Sequence, residues 1–117
     1  MGTPSPSGLQ VQVVDAGATL LLRVSGELDI ATAPCLETVL APLTGRACEL
    51  DLAHVTFIDS TGINLLTRHH RHTTAVGGRL RLVAASQAVR RILDITGTAY
   101  LLTGDLGPPS PDHAGSP

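Results

Sequence analysis

Between residues 47 and 97 the apolar side chains switch three times between strand and helix spacing, and this alternation limits what the chain can fold into. Cys48, Leu50 and Leu52 alternate with Glu49 and Asp51 over residues 47–53, the period of a half-buried strand. After a loop from His54 to Asp59, Ser60 opens a helix that ends near Gly77-Gly78. Leu80, Leu82 and Ala84 then face away from Arg79 and Arg81 in another strand. Val89, Ile92 and Leu93 return on one helical face, with Ser86 placed as the N-cap and Gly97 beyond the end. Strands separated by helices pair in parallel through right-handed crossovers.

Upstream, Leu9, Val11 and Val13 alternate with Gln10 and Gln12, Asp15-Ala16-Gly17 turns the chain, and Leu20, Leu22 and Val24 alternate with Leu21, Arg23 and Ser25. This pattern is hairpin-like. A first helix carries Leu36, Val39, Leu40 and Leu43; Thr32 is placed to cap it, Pro34 is tolerated in its first turn and Pro42 marks its end. The predicted order is β-β-α-β-α-β-α, a single α/β domain with a small, mixed, mostly parallel sheet to which the first strand adds antiparallel. A short apolar run, Ala99 to Leu102, follows the last helix. Residues 1–8 and 107–117 are rich in Pro, Ser and Gly and read as flexible tails, leaving 9–106 as the folded part.

Composition removes whole classes of chemistry. All eight basic residues are arginine, so no Walker loop, Schiff base or protein-kinase lysine is available, and any nucleoside triphosphate belongs to a partner. Phe57 and Tyr100 are the two aromatic residues and the net charge is -2, which argues against direct nucleic-acid binding. The outward arginines 79, 81, 90 and 91 read as solvated faces, with Arg90 and Arg91 available to line a partner surface. No apolar run approaches the roughly 20 residues of a membrane span, and no leader pattern opens the chain, so a soluble cytoplasmic protein is expected. Cys35 and Cys48 form no Cys-x-x-Cys and lie in apolar stretches, which predicts two core thiols.

The segment Val55-Thr56-Phe57-Ile58-Asp59-Ser60-Thr61-Gly62-Ile63 joins a strand's carboxyl end to a helix, the place where α/β sheets usually meet ligands. Ser60 there has two readings. It is an N-cap accepting a backbone hydrogen bond, or a phosphorylation site whose added charge of about -1.5 to -2 the helix's positive end favours. Catalysis is excluded. A nucleophile elbow needs Gly where Ile58 stands, and His69, His70 and His72 lie more than two turns along the same helix. His69 and His72 share a helix face, but two ligands do not make a metal site, and the histidine run reads as a solvated polar face.

Four blocks carry a family resemblance: Gly26-Glu27-Leu28-Asp29, Thr56-Phe57-Ile58-Asp59-Ser60-Thr61-Gly62, Gly77-Gly78-Arg79-Leu80, and Ser86-Gln87-Ala88-Val89-Arg90-Arg91-Ile92-Leu93-Asp94-Ile95-Thr96-Gly97. In this order and spacing the chain resembles the STAS family, and within it the bacterial anti-sigma-factor antagonists. The resemblance implies a small sheet with helices on one side, no cofactor, and a partner-switching cycle. The unphosphorylated protein would bind an anti-sigma factor and release the sigma factor. That anti-sigma factor, a serine kinase holding the ATP, would phosphorylate Ser60 and disengage, and a serine phosphatase would reset the switch. By the same resemblance Asp29, Asp59 and Ser60 belong to the docking surface, which continues through Thr61, Gly62, Asn64 and Arg68 on the exposed face of the second helix. The family carries small residues one and two turns past the serine, where this chain has Asn64 and Arg68. Arg68 is therefore a specificity device, a new salt bridge, or the mark of a divergent paralogue. The alternative role is a non-phosphorylated STAS adaptor or scaffold subunit of a transport or signalling complex.

Overall fold

Leu20, Cys48 and Leu80 stand side by side in one row of the sheet, and Leu22, Leu50 and Leu82 in another, because three strands pair in parallel with matched register. All six side chains are buried. The computed structural model in which they lie describes residues 8–103. Its elements are β1 (Leu9–Asp15), β2 (Thr19–Leu28), α1 (Ala33–Leu40), a 3-10 turn (Ala41–Leu43), β3 (Ala47–Ile58), α2 (Ser60–Ala75), β4 (Arg79–Ala85), α3 (Gln87–Thr96) and α4 (Tyr100–Thr103). The sheet order is β1-β2-β3-β4, with β1 antiparallel to β2 and the other pairings parallel. The expected α/β architecture is therefore the observed one. The tail segments fall outside the described residues, apart from Gly8.

One face of the sheet is apolar. The other sets Glu49 between Leu21 and Arg81, and Arg23 beside Asp51. Leu36 and Leu40 of α1, Ile63 and Leu66 of α2, Val89 and Leu93 of α3 and Leu101 of α4 are buried in the same core as the strand residues. Each such leucine contributes about 1.5–3 kcal/mol by leaving water. Arg79, Arg81, Arg90 and Arg91 are exposed, as their positions predict.

Four local expectations are corrected. First, β3 does not end at residue 53. It parts from β4 after Leu52, which pairs with Ala85, and runs on beside β2 to Ile58. Register shifts between Arg23 and Ser25 and between Gly26 and Glu27 break the period-two pattern there, so the segment resembles a loop. Gly26, at φ 104°, makes the irregularity possible, and a Cβ on it would collide with the Gly8 carbonyl. Second, Thr32 stands at the N-cap of α1 without capping it. Its hydroxyl donates to the Glu27 carbonyl at 2.8 Å, and its oxygen accepts from the Asp29 amide at 2.9 Å, tying the helix back to the strand before it. Third, Cys35 is exposed and only Cys48 is a core thiol. Burial pushes the Cys48 thiol above its ordinary range, opposed in part by Arg46, so it stays protonated.

Fourth, the histidine run is a solvated face only in part: His72 is exposed with its neighbours Arg68 and Arg71, but His69 and His70 are buried. The His70 ring meets Tyr100 edge-on at 5.3 Å, fastening α4 to α2. The His69 Nε2 is buried with no hydrogen-bond partner among the described residues. Glu37, Arg68, His69 and His72 line one cavity of about 100 Å³ between α1 and α2. Burial first, then His72 and His70, push the His69 pKa below its ordinary 6.5. The unfolded chain therefore takes up this proton before the folded one, so the contribution of neutral His69 is complete above pH 6.5 and is lost as pH falls below it. We expect the thermal midpoint to drop on titration from pH 7.5 to 5. His69→Leu should flatten that drop; an unchanged slope in the variant would place the acid sensitivity elsewhere.

Candidate functional site

β2 and β3 end together. The Asp59 amide donates to the Leu28 carbonyl at 3.2 Å, so Asp29, which follows Leu28, and Ser60, which follows Asp59, flank a single backbone bond. Asp59 is extended, at φ -119°, and its Oδ1 accepts from the Gly62 amide at 3.1 Å. Its carbonyl accepts the first helical bond, from the Ile63 amide at 3.1 Å. Asp59, not Ser60, is thus the N-cap of α2, and the capping reading of Ser60 is corrected. A carboxylate outcompetes a hydroxyl here because it brings both the acceptor and a charge opposite to the helix's positive end.

Ser60 becomes the first helical residue. It is exposed, and its hydroxyl bonds to no other described residue. The neighbouring amides of Ser60 and Thr61 precede the first i to i-4 bond and point out of the helix end. Thr61 is half-buried, while Asn64 and Arg68 are exposed on the next two turns.

Gly62 has a different task. A Cβ there would lie 2.8 Å from the Leu28 Cγ, 3.0 Å from the Ile58 Cγ1 and 3.1 Å from the Leu28 carbonyl oxygen. The missing side chain lets α2 start directly against the ends of both strands. Asp29 is half-buried, and its Oδ1 accepts from the amides of Ala31 and Thr32 at 3.0 and 3.1 Å. That carboxylate holds the entry to α1 while lying beside the Ser60 loop. Of the three readings open for Arg68, a salt bridge is present: Nη2 lies 3.6 Å from Glu37 Oε2, linking α2 to α1. Both partners are about half exposed, 48% and 56%, so the pair adds at most about 1 kcal/mol.

Sequence reasoning missed one surface. Phe57, 48% exposed, and Ile95, 73% exposed, line an open groove of about 480 Å³ together with Ile58, Ala88, Arg91 and Ile92. A signal for it exists in α3, whose apolar residues fall into two stripes. Val89 and Leu93 face the core, and Ala88, Ile92 and Ile95 lie on an adjoining face. Among the described residues no three His, Cys, Asp or Glu side chains converge as metal ligands, and no helix is long and apolar enough to cross a membrane.

Residues 10–106 match the model of the STAS domain. The chain belongs to the STAS domain family. The anti-sigma-B factor antagonist of Bacillus subtilis (strain 168) is 31% identical over 91 residues, covering 76% of this chain and 84% of that protein. That of Staphylococcus epidermidis is 33% identical over 84 residues, covering 69% and 78%. Among solved structures, an anti-sigma factor antagonist from Mycobacterium paratuberculosis superposes with a TM-score of 0.70 at 28% identity, covering 96% of this chain and 95% of that one. The STAS core of strands and helices therefore extends through nearly all of the described chain, and the Asp59–Gly62 loop lies well inside the matched region.

Proposed function

We propose that this STAS domain is an anti-sigma-factor antagonist of the bacterial cytoplasm that binds an anti-sigma factor while Ser60 is free and releases it once Ser60 is phosphorylated. The observation that carries the reading is the unengaged, exposed Ser60 hydroxyl on a helix end already capped by its neighbour Asp59. A side chain so placed contributes little to the fold and is available to a second protein. The names of the relatives support the partner class.

The anti-sigma factor acts as the kinase and brings the ATP. The Ser60 Oγ forms a bond to the γ-phosphorus, the bond from that phosphorus to the bridging oxygen breaks, ADP leaves, and the hydroxyl proton passes to a base on the partner. Here the substrate chain supplies position: the first turn of α2, fixed by Gly62 packing and the Asp59 cap, holds the Ser60 backbone in one place and presents the hydroxyl outward. The new phosphate shares the surface with Asp29 and Asp59, so keeping the partner docked would require burying like charges together. A serine phosphatase returns the hydroxyl by hydrolysis.

The test is direct. The full chain is incubated with its cognate anti-sigma factor and ATP, and intact mass is measured for wild type and Ser60→Ala. A gain of one phosphoryl group by wild type alone is expected. A gain that survives the substitution would remove Ser60 from this role, and recovery of a transporter ATPase in place of a kinase-like partner would favour the adaptor role.

A further inference from the structure

The groove beside Phe57 is not used by the Ser60 switch, yet it holds the chain's only phenylalanine and the second apolar stripe of α3. Ala88, Arg91, Ile92 and Ile95 follow the i, i+3, i+4, i+7 spacing of a single helix face. The core uses the other stripe, since Val89 and Leu93 are buried. Among the described residues Arg91 is the one charged member of an otherwise mostly apolar lining. Interface centres are enriched in aromatic residues and arginine, and a few such anchors supply most of the binding energy.

We propose that this groove is a second contact for the anti-sigma factor, one that receives an apolar side chain and a neighbouring carboxylate from an amphipathic segment of that partner. The inference rests on the proposed antagonist function. Two observations select this occupant. One is reach: Phe57 stands three positions before Ser60, at most about 11 Å of extended chain. A standard interface buries about 800 Å² on each partner, a disc of roughly 16 Å radius. A footprint centred on Ser60 is therefore wide enough to reach Phe57. The other is charge. The Ser60 side of the footprint is acidic, with Asp29 and Asp59, whereas the groove presents Arg91, so a partner must match it with apolar surface and negative charge.

The two contacts respond differently to phosphorylation. Charge added at Ser60 acts on its own side of the footprint and leaves the groove contact intact. The groove thus sets how tightly the unphosphorylated protein is held, and the serine decides when it is let go.

Binding of the full chain to the anti-sigma factor that phosphorylates it is measured by calorimetry for wild type, Ile95→Glu, Arg91→Glu, and Val76→Glu, the last at an exposed apolar position off the groove. Folding of each variant is checked by circular dichroism and thermal midpoint. Ile95→Glu and Arg91→Glu should each weaken binding at least tenfold, and Val76→Glu should bind as wild type. If both groove variants bind as wild type while Ser60→Asp does not, the groove proposal is overturned and the switch stands. If wild type binds no anti-sigma factor, both fall. A wild-type dimer that Ile95→Glu dissociates would give the groove to a second copy of the chain and overturn the proposal.

Discussion

Replacing Ser60 with Asp is expected to weaken binding to the anti-sigma factor by about a hundredfold or more and to leave the thermal midpoint unchanged or slightly raised. A hundredfold corresponds to about 2.7 kcal/mol. Placing a third carboxylate beside Asp29 and Asp59 under a docked partner costs several kcal/mol through like-charge juxtaposition and desolvation. On the free protein the same charge sits at the first position of α2, where the helix's positive end favours it by about 0.3–1 kcal/mol. Binding and stability therefore move in opposite directions, a pattern that general damage to the fold does not produce. Ser60→Ala should bind like wild type and resist phosphorylation. Calorimetric affinity combined with thermal denaturation checks both variants, and wild-type affinity in Ser60→Asp would contradict the charge-gated mechanism.

Gly62→Val should cost about 4 kcal/mol or more. Its first added atom would already stand 2.8 Å from the Leu28 Cγ and 3.1 Å from the Leu28 carbonyl oxygen. Leu28 is fully buried, so it has no open space to swing into, and its carbonyl is held by the Asp59 amide. Gly62→Ala places a better helix former in the same spot, worth about 1 kcal/mol in its favour. Overpacking of about 1–3 kcal/mol works against it, so a smaller net loss is expected for Ala than for Val. With about 4–8 °C per kcal/mol for a domain of this size, the valine variant should lose at least about 16 °C. A valine variant that melts with wild type would show that the helix start is not seated on Leu28 as described.

The fold was legible wherever one face of an element meets the core and the other meets water. The alternations in β2, β4 and the first half of β3 predict their buried rows, and the Ser86 and Gly97 signals bracket α3 where the helix lies, with the Ser86 Oγ accepting from the Val89 amide at 3.3 Å. What escaped the sequence depends on a neighbour remote in the chain. The extension of β3 is held by bulged pairing with β2, which leaves no periodic trace. His69 and His70 look polar in sequence and are buried because α1, the 3-10 turn and α4 close over the lower half of α2. For the site, spacing located the loop but not the partition of roles within it: Asp59 and Ser60 are both good caps, and only backbone geometry shows which one accepts from Gly62. The groove went unread because its two walls come from residues about 30 positions apart, at Phe57 and along α3.

The Asp59 cap has a consequence beyond the switch itself. Because the residue that holds the helix end is not the residue proposed to be modified, position 60 carries almost no structural debt. A single-codon change there, to Ala or to Asp, would convert the domain into a permanently engaged or permanently released binder without passing through an unstable intermediate. Position 59 has no such freedom, so copies of this domain that diverge in signalling behaviour should do so at the serine and keep the aspartate.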